Sequence, residues 1–170
     1  MPVERVIPEA WLSPSGNVKR VIMHWTAGGY TPSAFDRLHY HFLIDGQGKA
    51  VRGPRAPGQY LPHVLKFNTG SVGLSICAMA GAVQGKTDGK CPITKLQWER
   101  ACQAAAEILH RYNLPVDEKT VCCHSEVTRV HGVKQRGKWD VDRLPYVPEM
   151  TPTEVHNNMR AKIAWYWDRL

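Results

Sequence analysis

The chain has 170 residues, 43% of them hydrophobic, and 22 Lys and Arg against 15 Asp and Glu give a formal net charge of +7. This length and apolar content support one domain with a full core, and they exclude disorder and any need for disulfide staples. No apolar run nears the ~20 residues that cross a bilayer, so membrane insertion is excluded too.

Met1 to Ala10 mixes Pro2, Glu4, Arg5, Pro8 and Glu9 with its apolar residues. A secretory leader needs a continuous apolar stretch of ~7–15 residues, so the chain is expected to be made in the cytoplasm. Val18 to Trp25 carries the run Val21-Ile22-Met23 and predicts a strand buried on both faces, ended by Ala27-Gly28-Gly29. Ser33 to Leu38 predicts a short helix. Tyr40 to Ile44 and Ala50 to Arg52, joined by Asp45-Gly46-Gln47-Gly48, predict a hairpin. The Pro/Gly-rich stretch 53–62 reads as an ordered surface loop.

Ser71 to Met79 predicts a further strand, with Val72, Leu74, Ile76 and Ala78 on one face. Gly81 to Cys91 reads as a loop. Thr94 to Tyr112 predicts the clearest helix, opened by a Thr94/Gln97 capping box and carrying the stripe Ala101, Ala105, Ile108 and Tyr112. Val121 to His124 predicts a short strand and Ser125 to Asp140 a long basic loop. Thr151, Pro152 and Glu154 open a last helix over about 152–169, with Val155, Met159, Ile163, Tyr166 and Leu170 as its apolar stripe. The order of elements predicts a single α/β domain over 1–170, with helices packed on a central mixed sheet.

Two histidines stand out by position. His24 ends the first strand before a glycine-rich turn, and His124 ends the strand that starts at Val121. Loops at strand ends are where α/β proteins build their sites. A hydrolytic zinc takes three protein ligands and keeps one open position. Two histidines supply two ligands, and Glu126, His131, Asp140 and Asp142 are the nearby candidates for the third. His39 and His41, two apart on one predicted strand face, are further candidates. The five cysteines (Cys77, Cys91, Cys102, Cys122 and Cys123) form no CxxC pair and read as reduced, mostly buried thiols. The positive charge points to a polyanion such as nucleic acid or an acidic cell wall, or simply to solubility. The basic residues are scattered except around Lys134, Arg136 and Lys138, and no nucleic-acid-binding motif accompanies them.

Five segments, in order, resemble the zinc-dependent N-acetylmuramoyl-L-alanine amidases. That family includes the amidase-type phage lysozymes, the cytosolic muropeptide-recycling amidases and the peptidoglycan recognition proteins. Val21-Ile22-Met23-His24-Trp25-Thr26-Ala27 resembles the strand with the first zinc histidine. Tyr40-His41-Phe42-Leu43-Ile44 with Asp45-Gly46 resembles the family's hairpin. His63, then Asn68 with Ser71-Val72-Gly73-Leu74, resembles its "H…N-x-x-S-I-G" segment. His124-Ser125-Glu126-Val127 resembles the second zinc histidine, and Lys138-Trp139-Asp140 the closing "K-x-D". The likeness covers about residues 18–145.

The resemblance implies one zinc ion held by His24, His124 and Asp140, with Asp142 the rival third ligand. It implies catalytic roles for Tyr40 and Lys138, and substrate contacts from Trp25, Thr26, His63 and Asn68. The implied reaction is hydrolysis of the amide between the lactyl group of N-acetylmuramic acid and L-alanine. Zinc lowers the pKa of its water toward ~7, and Lys138 stabilises the developing oxyanion. The implied partner is peptidoglycan or a muropeptide, with no nucleic acid. A monomeric phage or prophage endolysin acting on the wall is the expected role, a recycling amidase or a non-catalytic peptidoglycan-binding module the alternatives. Trp139 is expected to pack its loop, and Trp165 and Trp167 to be core or interface.

Overall fold

The computed structural model describes residues 3–14 and 16–170. Met1 and Pro2, which entered the leader reading, and Ser15 lie outside the described residues. The strands are β1 (Arg20–Trp25), β2 (Phe42–Ile44), β3 (Ala50–Arg52), β4 (Ser71–Ile76) and β5 (Val121–Cys123). They form one mixed sheet in the order β3-β2-β4-β1-β5. β1 runs parallel to β4 and β5, β2 runs parallel to β4, and β2 and β3 form the antiparallel hairpin. The helices are α1 (Ala34–His39), α2 (Lys95–Arg111), α3 (Val127–His131) and α4 (Pro152–Trp167), with single 3-10 turns at Glu9–Trp11 and His124–Glu126.

Strand alternation divides the sheet into two unequal faces. Val21, Met23 and Trp25 of β1, with Val72, Leu74 and Ile76 of β4, join the main core against α2 and α4. Ile22 and Cys122 face the other way, into a small cluster with Val64 and Val127. His24 has the same parity as Ile22, so it points to this thinly covered face. The two adjacent cysteines divide as a strand requires: Cys123 enters the main core and Cys122 the small cluster. Burial pushes the Cys122 thiol up to about 12, which leaves it a packing group.

Both expected capping boxes form. Thr94 Oγ1 accepts from the Gln97 amide at 3.1 Å, and Thr151 Oγ1 accepts from the Glu154 amide at 3.2 Å. A third, Ser33 with Asp36, starts α1. Three expectations are corrected. The helix α1 runs on to His39 and β2 begins only at Phe42, so His39 and His41 do not share a strand face. The basic segment after Ser125 is not all loop: it contains α3, closed by Gly132 at φ 71, a left-handed position that suits glycine. The stripe of α4 is shorter than expected, since Val155, Met159 and Ile163 are buried while Leu170 is exposed.

Candidate metal centre

Strand register brings the two histidines together. Met23 pairs with Cys123 across parallel strands β1 and β5, so the next residues, His24 and His124, emerge side by side. Their ring centroids are 4.7 Å apart. Asp140 arrives from the loop after α3, held by a hydrogen bond from the Ser125 amide to the Asp140 carbonyl at 2.8 Å. Its Oδ2 lies 3.1 Å from His24 Nδ1 and 3.3 Å from His124 Nδ1. All three side chains are buried.

The outer hydrogen bonds identify the tautomers. His63 Nε2 donates to the Ser71 carbonyl at 3.3 Å, which leaves His63 Nδ1 an acceptor. His24 Nε2 therefore donates to His63 Nδ1 at 2.9 Å. Gln135 Nε2 donates to the Leu65 carbonyl at 2.9 Å, so Gln135 Oε1 accepts from His124 Nε2 at 2.9 Å. Each imidazole has spent its N–H outward and turns a bare Nδ1 toward Asp140. Two nitrogen lone pairs and a carboxylate oxygen converging in a buried site repel one another unless a cation lies among them. The donor set of two imidazoles and one carboxylate suits zinc, and the outer partners are of the kind that orient metal-binding histidines.

Electrostatics keep this set in metal-binding form. Burial lowers the His24 pKa to about 4, more than the neighbouring Asp140 restores. Burial also lowers His63, aided by His24 and His41. Glycine makes room for the relay. A Cβ on Gly73 of β4 would lie 2.8 Å from His63 Cγ, so only glycine lets the His63 ring rest on the strand.

The other expected residues divide. The Tyr40 ring lies 5.1 Å from that of His24; burial, then the Asp140 charge, raises its phenol pKa. Lys138 is exposed and lines a polar cavity of about 510 Å³ with Ser125, Asp142 and His156. Its charge reaches His24 and contributes to the lowered pKa there, but among the described residues no hydrogen bond or ion pair joins it to the triad. Asp142 is turned away from the triad: it accepts from Ser125 Oγ at 2.5 Å and from His156 Nε2 at 2.9 Å. Glu126 is committed to Arg160 at 2.8 Å, and His131 packs on Phe67.

Trp25 is a correction. It is only 6% exposed and packs edge-to-face on Trp139, with ring centroids 4.6 Å apart, because odd positions of β1 face the main core. Thr26 Oγ1 accepts from the Gly28 amide and closes the turn after β1. Asn68 Oδ1 accepts from the amides of His63 and Val64 and shapes their loop. His63 and Asn68 also line an open cleft of about 470 Å³ with Phe35, Tyr40, Tyr60 and Leu65. His41 is structural: Nε2 donates to the Gln59 carbonyl and Nδ1 accepts from the Gly73 amide. Sequence reasoning did not find Gln135, whose role depends on the path of the chain after α3 and leaves no local pattern.

Comparison with known proteins gives the family and the fold. Residues 14–141 match the sequence model of N-acetylmuramoyl-L-alanine amidases. The chain belongs to that family. The amidase has a fold similar to Staphylococcus aureus hydrolase AmiA, with a TM-score of 0.58 and 12% identity over 90% of this chain and 76% of AmiA. It is also similar to two Clostridium intestinale proteins. The N-acetylmuramoyl-L-alanine amidase LysC aligns with TM-score 0.55 and 18% identity, over 96% of this chain and 94% of LysC. The endolysin LysCS aligns with TM-score 0.50 and 17% identity, over 96% of this chain and 92% of LysCS. No curated protein sequence matches the chain.

Proposed function

We propose that this amidase is a zinc-dependent hydrolase that cuts the amide between the lactyl group of N-acetylmuramic acid and L-alanine in peptidoglycan. The observation that carries the reading is the convergence of His24, His124 and Asp140, one ligand atom of each lying within 4.8 Å of the others. Three such ligands leave a hydrolytic zinc one open position. Bound there, the ion supplies Lewis-acid polarisation of the scissile carbonyl and activates water near neutral pH.

The chain's own groups do the rest. Tyr40, its pKa raised by burial and by Asp140, stays protonated at neutral pH and donates a hydrogen bond to the oxyanion that develops on the carbonyl. The Lys138 ammonium adds positive charge where that anion forms. His63 and Gln135 hold the two imidazoles in the Nε2–H tautomer. The cleft beside Tyr40 and His63 receives one arm of the substrate on an apolar wall that includes the exposed Phe35 and Tyr60.

We further propose that the amidase is a phage or prophage endolysin, made in the cytoplasm and acting as a monomer on the wall. Its net charge of +7 favours approach to an anionic wall, and the similar LysCS is an endolysin. The test is metal content together with activity on two substrates, intact sacculi and soluble anhydro-muropeptides. We expect one zinc per chain, removed by a chelator, and faster hydrolysis of sacculi. Preference for soluble muropeptides replaces the endolysin role with recycling. Zinc-loaded protein that releases nothing from either substrate leaves a binding module.

A further inference from the structure

The C-terminal helix α4 lies outside the residues 14–141 matched to the family, yet it touches the segments that carry two of the three proposed ligands. Arg160 forks onto Glu126, with Nη2 donating to Oε1 at 2.8 Å and Nη1 donating to Oε2 at 3.0 Å. Arg160 Nη1 also donates to the Val121 carbonyl on β5 at 3.3 Å. Glu126 Oε2 in turn accepts from the Cys123 amide at 2.8 Å. These bonds close a ring around the turn 123–126, and His124 sits inside that turn.

One helical turn earlier, His156 reaches the other ligand segment. Its Nε2 donates to Asp142 Oδ1 at 2.9 Å, and Asp142 also accepts from Ser125 Oγ at 2.5 Å. The Ser125 amide donates to the Asp140 carbonyl at 2.8 Å. His156 Nδ1 lies 3.5 Å from Glu126 Oε1 and so links the two halves. Cys123, Glu126 and His156 lie close enough together to suggest a second metal cluster, but the Glu126 carboxylate is already taken by the guanidinium.

We propose that Arg160 and His156 are positioning residues, by which α4 holds the His124 turn and the Asp140 loop at the spacing the metal needs. The proposal rests on the metal reading above. Buried at Glu126 and bidentate, the Arg160 contact has the rigidity that a lysine cannot reproduce. Arg129 Nη2 also reaches Glu126 Oε1 at 3.1 Å, so loss of Arg160 does not leave the carboxylate without a cation. Outer contacts of this kind typically change metal affinity about 10–100-fold.

The test compares Arg160→Met, Arg160→Lys and, as a control, Ile163→Ala, which removes a buried apolar α4 side chain of the main core. Zinc affinity is measured by chelator competition. Ligand geometry is read from the visible absorption of the cobalt(II)-substituted protein. We expect Arg160→Met to weaken zinc about 10-fold or more and to change the cobalt bands. Arg160→Lys should lie between it and wild type, and Ile163→Ala should lower thermal stability with affinity and bands unchanged. If Arg160→Met does not fold, Arg160→Lys carries the same comparison. Wild-type affinity and bands in the folded Arg160 variants overturn the clamp, as does an equal loss in Ile163→Ala. Wild-type protein that takes up no metal overturns the reading beneath it.

Discussion

The proposed metal centre has a strand-built half and a loop-built half, and they are held by different means. His24 and His124 stand at the ends of adjacent parallel strands, where the register of Met23 with Cys123 leaves them no choice of position. Asp140 and Lys138 come from the segment after α3, where no ladder fixes the backbone. There the chain is tied by separate bonds: the Ser125 amide to the Asp140 carbonyl, His156 to Asp142, and Arg143 to Asp88 at 2.5 Å. The lesson is that a ligand on a strand end inherits its precision from the sheet. A ligand on a loop has to be given its own braces, and these are spread over distant parts of the chain.

Removing a ligand from either half tests whether they act as one centre. His24→Ala, His124→Ala and Asp140→Ala should each lose zinc and lower turnover more than about 10³-fold, equivalent to ~4 kcal/mol of barrier. Metal analysis and amide-hydrolysis rates check this. Asp142→Ala should retain zinc; if it loses the metal while Asp140→Ala keeps it, the loop-built half has been read in the wrong register.

Lys138 separates positioning from charge on the loop side. Lys138→Ala should keep its zinc and lower kcat about 10²-fold with little change in KM, the pattern of an interaction made only in the transition state. Unchanged kcat removes Lys138 from the mechanism. On the strand side, His63→Gln should weaken zinc about 10–100-fold by releasing the His24 tautomer. Nitrogen NMR of the imidazole rings should show His24 as the Nε2–H tautomer in wild type. A wild-type His24 protonated at Nδ1 contradicts the relay.

The smallest effect is one of pH. Burial holds His24, His41 and His63 neutral in the folded protein, with His24 at about 4. An unfolded histidine takes its proton near 6.5. Between these values the unfolded chain binds more protons than the folded one, so stability must fall as pH falls through that window. The metal-free protein should melt several degrees lower at pH 5 than at pH 7.5, since ~1 kcal/mol moves a domain of this size by about 2–4 °C. A melting temperature that rises on acidification contradicts the neutral assignment.

The same contrast decides what was legible in the sequence. The strand-built half was readable because its signals are local: the apolar run Val21-Ile22-Met23, the break at Gly28, and a histidine at each strand end. Capping boxes at Thr94 and Thr151 marked two helices through short-range bonds. The Ser33/Asp36 box is equally local and opens the short helix expected over Ser33 to Leu38, but pairing His39 with His41 on a strand face misplaced His39, which ends that helix. In the loop-built half, Val127 and Val130 are too few to make a helical period stand out among basic neighbours, so α3 was missed. Trp25 was assigned to the groove because it adjoins His24, although neighbours on a strand point to opposite faces. Gln135, Arg160 and His156 act across the fold, and only the resemblance to the family singled out Asp140 from Asp142.

The proposed chemistry of this centre is metal-dependent hydrolysis of the bond between glycan and peptide. The most direct measurement is mass spectrometry of purified peptidoglycan digested by the zinc-loaded protein, with and without a chelator. Intact stem peptides with a free L-alanine amino terminus and glycan stripped of peptide are expected, both lost with the chelator and restored by zinc. Cuts within the glycan or within the stem, or release that continues in the chelator, would contradict that chemistry.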